Sequence, residues 1–381
     1  MAFFSKFFNQ SEPTALGIDI GSSAIKIVQL KKKNSQAILE TYGELALGPY
    51  AGAGVGQAVV LPPEKIAQAI SDLMREKEVN VTTRKCGVSI AFASSFMTVI
   101  EMPEVSFKQL AVMVPIEARK YIPVPISEVM LDWSIIPKSE VQVEDSSEDT
   151  TSEVHALADG EGKNPTTLKK VDVLVVAIHN ETIARYQEIV AKSGLEAGFF
   201  EIEIFSTMRA VLDEALRPVM IMDMGAASTK LYVVERGIIR SSHTINRGSQ
   251  DITANISKSI GLTMERAEVM KRQVGMIGDD KNMTNAIILT LDHIFAEVNN
   301  TLLVFEKKHN KTISEVILVG GGSALKGLSD IAKNNFKTEV ISANPFNKVS
   351  APAFLENILK ETGPEFAVAI GLALRKLSEE E

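Results

Sequence analysis

The apolar positions along the chain divide it into short strands and amphipathic helices. Between residues 16 and 83, strands are followed by one helix that begins after Pro62 and carries its apolar residues on one face. A helix over 181–193, a strand over 195–202 and a helix from Ile204 to Leu216 come later. This alternation predicts an α/β core.

The same arrangement recurs after Pro218. A strand, a turn and a second strand start there, and a helix follows in which Ile252, Ile256 and Ile260 are spaced by four. The recurrence indicates an internal duplication, with two related halves that join near Pro218.

A segment of different character, residues 84–178, interrupts the first half. Its apolar runs predict strands near 88–92, 98–102, 131–136 and 171–177, around one helix that begins at Ser106. Ser106 and Gln109 form a capping box, and Pro115 is expected to break or kink the helix. The segment is therefore predicted to be a small inserted α+β subdomain.

Composition limits the possible classes. At 381 residues with 45% hydrophobic content, the chain is long enough for two domains. The single Cys86 leaves no disulfide framework, and five scattered histidines offer no paired ligands for zinc. We find no apolar run near the length of a membrane span and no signal peptide, so a reducing cytoplasm fits best.

Most of the net charge comes from one segment. The formal net charge is −8, and residues 139–162 carry eight acidic residues and no Lys or Arg, so the remainder is neutral. A neutral remainder provides no basic field for nucleic acid. Because it is rich in Ser, Thr, Asp and Glu, the stretch 139–170 is predicted to be a flexible loop.

Two distant segments share one turn. Residues 18–26 (IDIGSSAIK) and 222–230 (MDMGAASTK) each bring an Asp to a strand end, followed by a Gly and small hydroxyl residues. Backbone N–H groups of such a turn can surround a phosphate, while the Asp can hold Mg²⁺ through its waters. Taken singly, each copy is also explained as an ordinary hairpin with a solvated Asp.

A third turn changes this balance. The buried-type strand Val316–Val319 ends in three glycines, against which a flat ligand can lie. Two phosphate-type turns followed by a Gly-Gly-Gly turn, in this order, resemble the phosphate 1, phosphate 2 and adenosine motifs of the actin, sugar-kinase and heat-shock ATPase superfamily.

A helix that starts after Thr263 offers a further pair of polar residues. Glu268 and Lys271 lie three apart and therefore on one face, where they could clasp a ribose hydroxyl and an adenine edge. An ordinary solvent-facing helix with an ion pair between Glu268 and Arg272 is the alternative.

One stretch points to a narrower family. Residues 114–125 (VPIEARKYIPVP), followed by Leu131-Asp132-Trp133, resemble the inserted subdomain of the PilM family, the actin-like proteins of type IV pilus assembly. The chain is more distantly similar to the cell-division protein FtsA. The resemblance covers nearly all of the chain apart from the acidic loop. It implies an α/β, actin-like and ribonuclease H-like two-domain fold with duplicated βα cores and an inserted small α+β subdomain (1C) of the SHS2 type.

The resemblance also implies subdomain boundaries. The expected parts are an N-terminal tail at 1–15, a first core (1A) at 16–83 and 179–216, the insert (1C) at 84–178, a second core (2A) at 217–250 and 313–377, and subdomain 2B at 251–312.

By the same resemblance, ATP lies between the halves, with Mg²⁺ held by Asp19 and Asp223, at least through water. The other residues expected to contact the nucleotide are Gly21, Ser22, Ser23, Lys26, Gly225, Ser228, Thr229, Gly248, Glu268, Lys271, Gly320, Gly321 and Gly322. Closure over ATP would turn on small residues of two crossing helices, unless these only pack a core: Ser206 and Ala210 on one, Ala367 and Gly371 on the other.

Catalysis is a separate question. Hydrolysis needs a group that orients water near the γ-phosphate, and Glu203 is the candidate, although a surface salt bridge explains this residue as well. The resemblance implies at most a slow ATPase that uses nucleotide mainly to set its conformation.

The implied partner is the cytoplasmic N-terminal tail of a PilN-like single-span membrane protein, bound in extended form. Its groove is expected to be lined or supported by Phe92, Glu117, Tyr121, Ile122 and Pro123, unless Tyr121 and Ile122 merely pack the subdomain core. Other pilus platform and motor proteins, and a second copy of the chain, are further expected partners. The expected location is cytoplasmic, peripheral to the inner membrane, with no membrane span and no nucleic acid bound.

Two other functions stay open. An FtsA-like filament former would be expected to carry a C-terminal amphipathic anchor, whereas this sequence ends in three glutamates. A small-molecule kinase shares the fold, and its ATP turnover would depend on an added acceptor.

Overall fold

The computed structural model describes residues 12–136, 169–213 and 217–379. Most of the predicted N-terminal tail and acidic loop, and the end of the helix predicted to reach Leu216, lie outside these ranges. The chain divides into two compact units, one formed by Met1–Ser94 and Thr182–Glu381 and the other by Ser95–Glu181. Each unit has its own hydrophobic core.

Strands and helices alternate as the sequence predicts for an α/β protein. The strands are β1 Thr14–Ile20, β2 Ala24–Lys33, β3 Gln36–Ala46, β4 Lys85–Ile90, β5 Ser95–Pro103, β6 Val129–Ile136, β7 Lys170–His179, β8 Glu196–Ile202, β9 Val219–Met224, β10 Thr229–Glu235, β11 Ile238–Ile245, β12 Glu315–Val319 and β13 Glu339–Ser342. The helices are α1 Pro63–Arg75, α2 Phe107–Ala118, α3 Asn180–Lys192, α4 Glu203–Val211, α5 Ser249–Ile260, α6 Met264–Gln273, α7 Lys281–His309, α8 Leu328–Asn335, α9 Glu356–Thr362 and α10 Ala367–Ser378.

The first unit contains two sheets with one topology. Their strand orders are β3-β2-β1-β4-β8 and β11-β10-β9-β12-β13. In each sheet the central strand pairs antiparallel with the next strand in sequence and parallel with a strand that arrives after a crossover. This repetition confirms the predicted duplication.

The central strands β1 and β9 are buried along most of their length, because helices or further chain cover both faces of each sheet. Both strands therefore consist almost entirely of apolar residues up to a penultimate acidic residue, Asp19 or Asp223. The core of the second sheet is extended by apolar residues of α5, α7 and α8.

Helix α10 packs closely on two elements at once. A side chain at Gly17 of β1 would overlap the backbone of Ala369, and one at Gly371 would overlap the backbone of Ser206 on α4. The predicted close contact between α4 and α10 is therefore present in the structure. Its role as a hinge stays a prediction.

Helix α7 is the longest helix in the described part of the chain, and by length and composition it could cross a membrane; 33% of its most apolar window is buried. The sequence pattern predicts no membrane span here, because polar residues such as Asn and Thr interrupt the apolar residues of this segment. In the structure, Ile287, Leu291 and Ile294 belong to the core of the second sheet.

The second unit is an antiparallel sheet, β5-β7-β6, packed against α2. At the start of α2, the side-chain oxygen of Gln109 accepts hydrogen bonds from the backbone N–H of Ser106 at 3.1 Å and from its hydroxyl at 2.8 Å. Of the predicted break or kink at Pro115, the break is absent, since α2 continues through Pro115 to Ala118, and the kink stays a prediction.

Two boundaries differ from the sequence prediction. The sequence predicts the insert at 84–178, but β4 pairs with β1 and β8 of the first sheet, and the second unit begins at Ser95. The helix predicted to reach Leu216 ends at Val211, and Leu212 already has extended backbone. The first of these boundaries is set by strand pairing of β4, which the local pattern does not contain.

Candidate functional site

A cavity of about 430 Å³ lies within the first unit, between its two sheets. Both predicted Asp-Gly turns and the Gly-Gly-Gly turn line it. Of the residues predicted to contact nucleotide or Mg²⁺, the lining includes Asp19, Gly21, Ser22, Ser23, Lys26, Asp223, Gly225, Ser228, Glu268, Lys271, Gly320, Gly321 and Gly322.

The two turns that face the cavity have the same backbone. In the first turn (residues 20–24), the N–H of Gly21 donates to the carbonyl of Ala24 at 3.0 Å. In the second turn (residues 224–228), the N–H of Gly225 donates to the carbonyl of Ser228, also at 3.0 Å. A side chain at Gly21 would lie 2.9 Å from the Ala24 oxygen, so glycine keeps the turn tight.

Beneath the turns lies a group of buried charges. The carboxylate of Asp19 accepts a hydrogen bond from the hydroxyl of Ser89 at 2.9 Å. Burial raises the pKa of Asp19 to about 6, and the neighbouring Glu203 adds to this, although Lys26 opposes it. A carboxylate in this state gains from a cation placed beside it.

Lys230 links the acidic residues of the two halves. Its ammonium lies 2.7 Å from Oε1 of Glu203 on α4 and 3.3 Å from Oδ2 of Asp223 on β9. Burial alone would lower the pKa of Lys230, but the two carboxylates outweigh it and raise the pKa well above its usual range. The same oxygen of Glu203 accepts the backbone N–H of Phe92 at 2.6 Å. Glu203 is therefore part of a buried ion pair and not of the surface salt bridge considered from sequence.

The cavity carries a second buried pair, Glu268 and Lys271 on α6. Lys271 lies 2.7 Å from the carboxylate of Glu268, and both residues are less than a tenth exposed. Arg272 and the hydroxyl of Thr253 also bind Glu268, at 2.7 and 2.6 Å. Burial would raise the pKa of Glu268, but these partners lower it, so the group is an anion. The solvent-facing alternative for this helix face is wrong, although its Glu268–Arg272 pair exists.

The Gly-Gly-Gly turn fits closely around the second turn. Gly320 has a φ of +84°, and a side chain there would overlap the carboxylate of Asp223. A side chain at Gly322 would overlap Met224. A side chain at Gly321, by contrast, would have its nearest neighbour at 3.5 Å, an oxygen of Glu365. Gly321 thus leaves the floor of the cavity open for a flat group.

Two predicted nucleotide contacts do not line the cavity. Thr229 is fully buried, and its hydroxyl donates to the carbonyl of Arg247 at 2.9 Å. Gly248 packs on the second turn, where a side chain would overlap Ala226. The strand period explains Thr229, because its neighbours Ser228 and Lys230 take the positions that face the cavity.

Several lining residues were not predicted. Lys230 repeats the position of Lys26 in the duplicated segment, so the repeat itself was a signal for it. Glu365 arrives from a distant turn that no local motif marks, and burial, together with Glu44, raises its pKa to about 7. The other charged lining residues outside the prediction are Glu44, Arg272, Lys326 and Glu361.

The residues of the predicted partner groove are placed in different surroundings. In the second unit, Tyr121 is 46% exposed and Pro123 is exposed, whereas Ile122 is buried in that unit's core. Glu117 forms an ion pair with Lys120 at 2.8 Å. The core alternative thus holds for Ile122 and not for Tyr121. In the first unit, the ring of Phe92 packs edge-on against Tyr232.

The donor set suits a magnesium ion bound together with phosphates. Asp19 and Asp223 are carboxylates that line one cavity, and Mg²⁺ typically takes one or two carboxylates plus phosphate oxygens and water. Over the described residues, no three His, Cys, Asp or Glu side chains converge in a way that would hold a metal by themselves. A metal here would therefore depend on the phosphates.

Known proteins share this sequence pattern and this fold. The sequence matches the family of the type IV pilus assembly protein PilM over residues 17–150 and 159–377. The structure is similar to a solved PilM-PilN type IV pilus biogenesis complex, with a TM-score of 0.76 and 27% identity over 96% of this chain and 99% of that chain. An ethanolamine utilization protein, EutJ from Carboxydothermus hydrogenoformans, shares the fold at a TM-score of 0.52 and 14% identity, over 96% of this chain and 90% of that one.

Curated relatives include cell division proteins. FtsA of Neisseria meningitidis is 22% identical over 93% of this chain and 88% of that protein. FtsA of Buchnera aphidicola is 24% identical over 55% of this chain, and the match spans 57% of that protein. These distant similarities agree with an actin-like fold.

Proposed function

The chain belongs to the family of the type IV pilus assembly protein PilM, and on this premise we propose that it is an ATP-binding scaffold of the pilus inner-membrane platform. In this proposal ATP sets the conformation of the chain, and the chain binds the cytoplasmic N-terminal tail of a PilN-like membrane protein. Its location is then cytoplasmic, at the inner membrane through that partner.

The cavity is the observation that supports nucleotide binding. The backbone N–H groups of the two turns, with Ser22, Ser23 and Ser228, offer donors for phosphates on both sides. Asp19 and Asp223 would hold Mg²⁺, which neutralises phosphate charge when bound. Glu268 and Lys271 line the same cavity as the two turns, so in this proposal they contact the ribose and base of the nucleotide, with the base over Gly321.

Slow or negligible turnover is part of the proposal. Glu203 is the one candidate for orienting water, and both donors at its Oε1, the ammonium of Lys230 and the N–H of Phe92, lie within 2.7 Å. A carboxylate occupied in this way is poorly placed to accept a proton from water. ATP then serves mainly as a ligand that favours one conformation.

The partner is proposed from the family and from the PilM-PilN complex to which the structure is similar. The exposed Tyr121 and Pro123, with Glu117 beside them, are the side chains that a bound tail could reach on the second unit. Other platform and motor proteins, and self-association, are further proposed partners.

A filament-forming role like that of FtsA is the second candidate, because the Neisseria protein matches 93% of this chain. Sedimentation of the purified protein with and without ATP and Mg²⁺ separates the two. Pelleting that depends on ATP would favour the filament, and ATP binding without pelleting would favour the scaffold.

Calorimetric titration tests both binding sites. ATP with Mg²⁺ is titrated into the wild-type chain and into Gly321→Val, whose β-carbon would lie no closer than 3.5 Å to a neighbouring atom and whose side chain is expected to fill the floor of the cavity. We expect saturable binding that the variant loses. A wild-type chain that gives no ATP signal would overturn the nucleotide proposal.

A synthetic PilN-type tail is then titrated with and without ATP. Tyr121→Ala is expected to weaken tail binding about tenfold, while Phe107→Ala, an equally aromatic and more exposed position on the same unit, leaves it unchanged. Equal loss in both variants, or no binding at all, would overturn the partner assignment.

A further inference from the structure

The segment between β3 and α1 has no part in the proposal above, yet it lies beside the cavity and contacts both halves of the first unit. Residues 52–60 (GAGVGQAVV), here called the glycine strap, leave the first half of the unit and reach the second half. Gly52 and Gly56 have φ angles of +71° and +82°, a backbone that few other residues adopt. Gly56 lines the cavity itself.

One end of the strap is fixed to the first turn. The N–H of Val59 donates to the carbonyl of Ser22 at 2.9 Å. The strap also folds back on its own base, where the N–H of Ala53 donates to the carbonyl of Gly48 at 2.9 Å. Both bonds lie within the first half, so the strap has a firm anchor on that side.

The other contacts reach the second half. The N–H of Ala58 donates to the side-chain oxygen of Gln250 on α5 at 3.1 Å. A side chain at Gly56 would lie 2.6 Å from the carboxyl carbon of Glu268, and one at Gly54 would lie 3.3 Å from an oxygen of Glu265. The strap therefore presses its bare backbone against α6, beside the pair that is proposed to hold the ribose.

Two of the three valines in the strap are exposed. Val55 is half exposed, and Val60 is 94% exposed. One neutral hydrogen bond contributes about 1 kcal/mol, so the strap can be released at small cost while its base stays in place. A covering of this kind can open and close.

We propose that the glycine strap is the lid of the cavity, which must open for nucleotide to enter and leave, and that Gln250 is its latch. This inference rests on the proposed nucleotide site. A strap tied to Ser22 on one side and to Gln250 on the other joins the halves only while the cleft is closed. Nucleotide exchange is then limited by strap opening and not by the contacts of the phosphates alone.

The first test compares the release of nucleotide from two Gln→Ala variants. Radiolabelled ATP is bound with Mg²⁺, chased with unlabelled ATP and followed by rapid filtration. Gln250→Ala is expected to release ATP about fivefold faster, the effect of one lost hydrogen bond. The matched control Gln68→Ala, exposed on α1 and outside the cavity, is expected to match the wild type. Equal release rates in Gln250→Ala and the wild type would overturn the latch.

The second test closes the strap covalently. The position for a β-carbon at Gly54 lies 3.5 Å from Cγ of Glu265, the position that a cysteine sulfur takes, so two cysteines here are close neighbours, and the native Cys86 is fully buried. In the Gly54→Cys/Glu265→Cys variant, oxidation after loading is expected to trap ATP, and oxidation before loading to exclude it; reduction restores both. Free exchange in the oxidised variant would overturn the lid. A reduced variant and wild type that never bind ATP would instead overturn the nucleotide site, and the lid with it.

Discussion

The first turn and the second turn close with the same hydrogen bond and carry the same Asp–Lys pair in register, Asp19 opposite Lys26 and Asp223 opposite Lys230. Their lysines nevertheless point to different partners. Lys26 pairs with Glu44 at 3.5 Å, whereas Lys230 pairs with Glu203 and Asp223.

The neighbouring strand explains this difference. Lys26 stands opposite Glu44 of β3, whereas the same position opposite Lys230 is Thr244 of β11. Without an acidic residue beside it, the second lysine turns to the carboxylates beneath the turns. The two halves have therefore kept the same turn backbone. The residue opposite each lysine, Glu44 or Thr244, determines which lysine forms the ion pairs that join the halves.

Removal of the charge of Lys230 is expected to have the largest effect on stability. Lys230→Met leaves the carboxylates of Glu203 and Asp223 buried without a cation, and we expect a loss of about 3–5 kcal/mol in the free energy of unfolding. Lys26→Met, whose pair is longer and partly exposed, is expected to lose about 1 kcal/mol. Urea unfolding at pH 7.5 measures both, and equal losses would refute the asymmetry.

The next largest effect on stability is expected from a side chain that fills the space beside Asp223. Gly320→Ala combines an unfavourable φ of +84° with overlap on Asp223 and Met224, and we expect a loss of about 3 kcal/mol together with weaker ATP binding. Gly237→Ala is the control, since its φ is +72° but nothing lies within 4 Å; it is expected to lose about 1 kcal/mol. Thermal unfolding measures the loss of stability in both variants, and the difference between the two losses is the cost of the overlap. Calorimetry measures ATP binding.

The two aspartates are expected to respond with opposite sign. The folded-state pKa of Asp19 is raised to about 6, so its ionised form opposes folding above that pH. Asp19→Asn is expected to stabilise the chain without ligand by about 2 kcal/mol at pH 7.5, and the gain disappears as the pH falls from 6 towards 4. Asp223→Asn removes a partner of Lys230 and is expected to destabilise. Unfolding curves between pH 4 and 8 test the sign, and a stabilised Asp223→Asn would contradict it.

The parts of the site that could be predicted from the sequence are those formed by local motifs. The two Asp-Gly turns, the Gly-Gly-Gly turn and the α6 pair are local patterns, and thirteen of the fifteen residues predicted to contact nucleotide line the cavity. Thr229 failed because strand alternation turns it inward. Gly248 failed because it supports the second turn from behind.

What could not be predicted depends on partners distant in sequence. Glu365 and the glycine strap carry no local signature, and only the tertiary fold brings Glu365 and Gly56 to the cavity. Glu203 looked like a surface residue because its partner Lys230 lies on the other half. The end of the first sheet at β8 is similarly set by pairing with β4, which the insert separates from it in sequence.

The smallest effect is expected from a substitution that gives Lys230 an acidic cross-strand neighbour like that of Lys26. Thr244→Glu places an acidic residue opposite Lys230, as Glu44 stands opposite Lys26. Because Thr244 is partly exposed, the new pair adds less than about 1 kcal/mol to stability. The new glutamate also changes the ion pairs beneath the turns, because it competes with Glu203 for Lys230. We therefore expect Glu203→Gln to destabilise less in the Thr244→Glu background than in the wild type, which a double-mutant cycle measures. Full additivity would mean that Lys230 stays with Glu203 whatever stands beside it, and that β11 does not decide its partner.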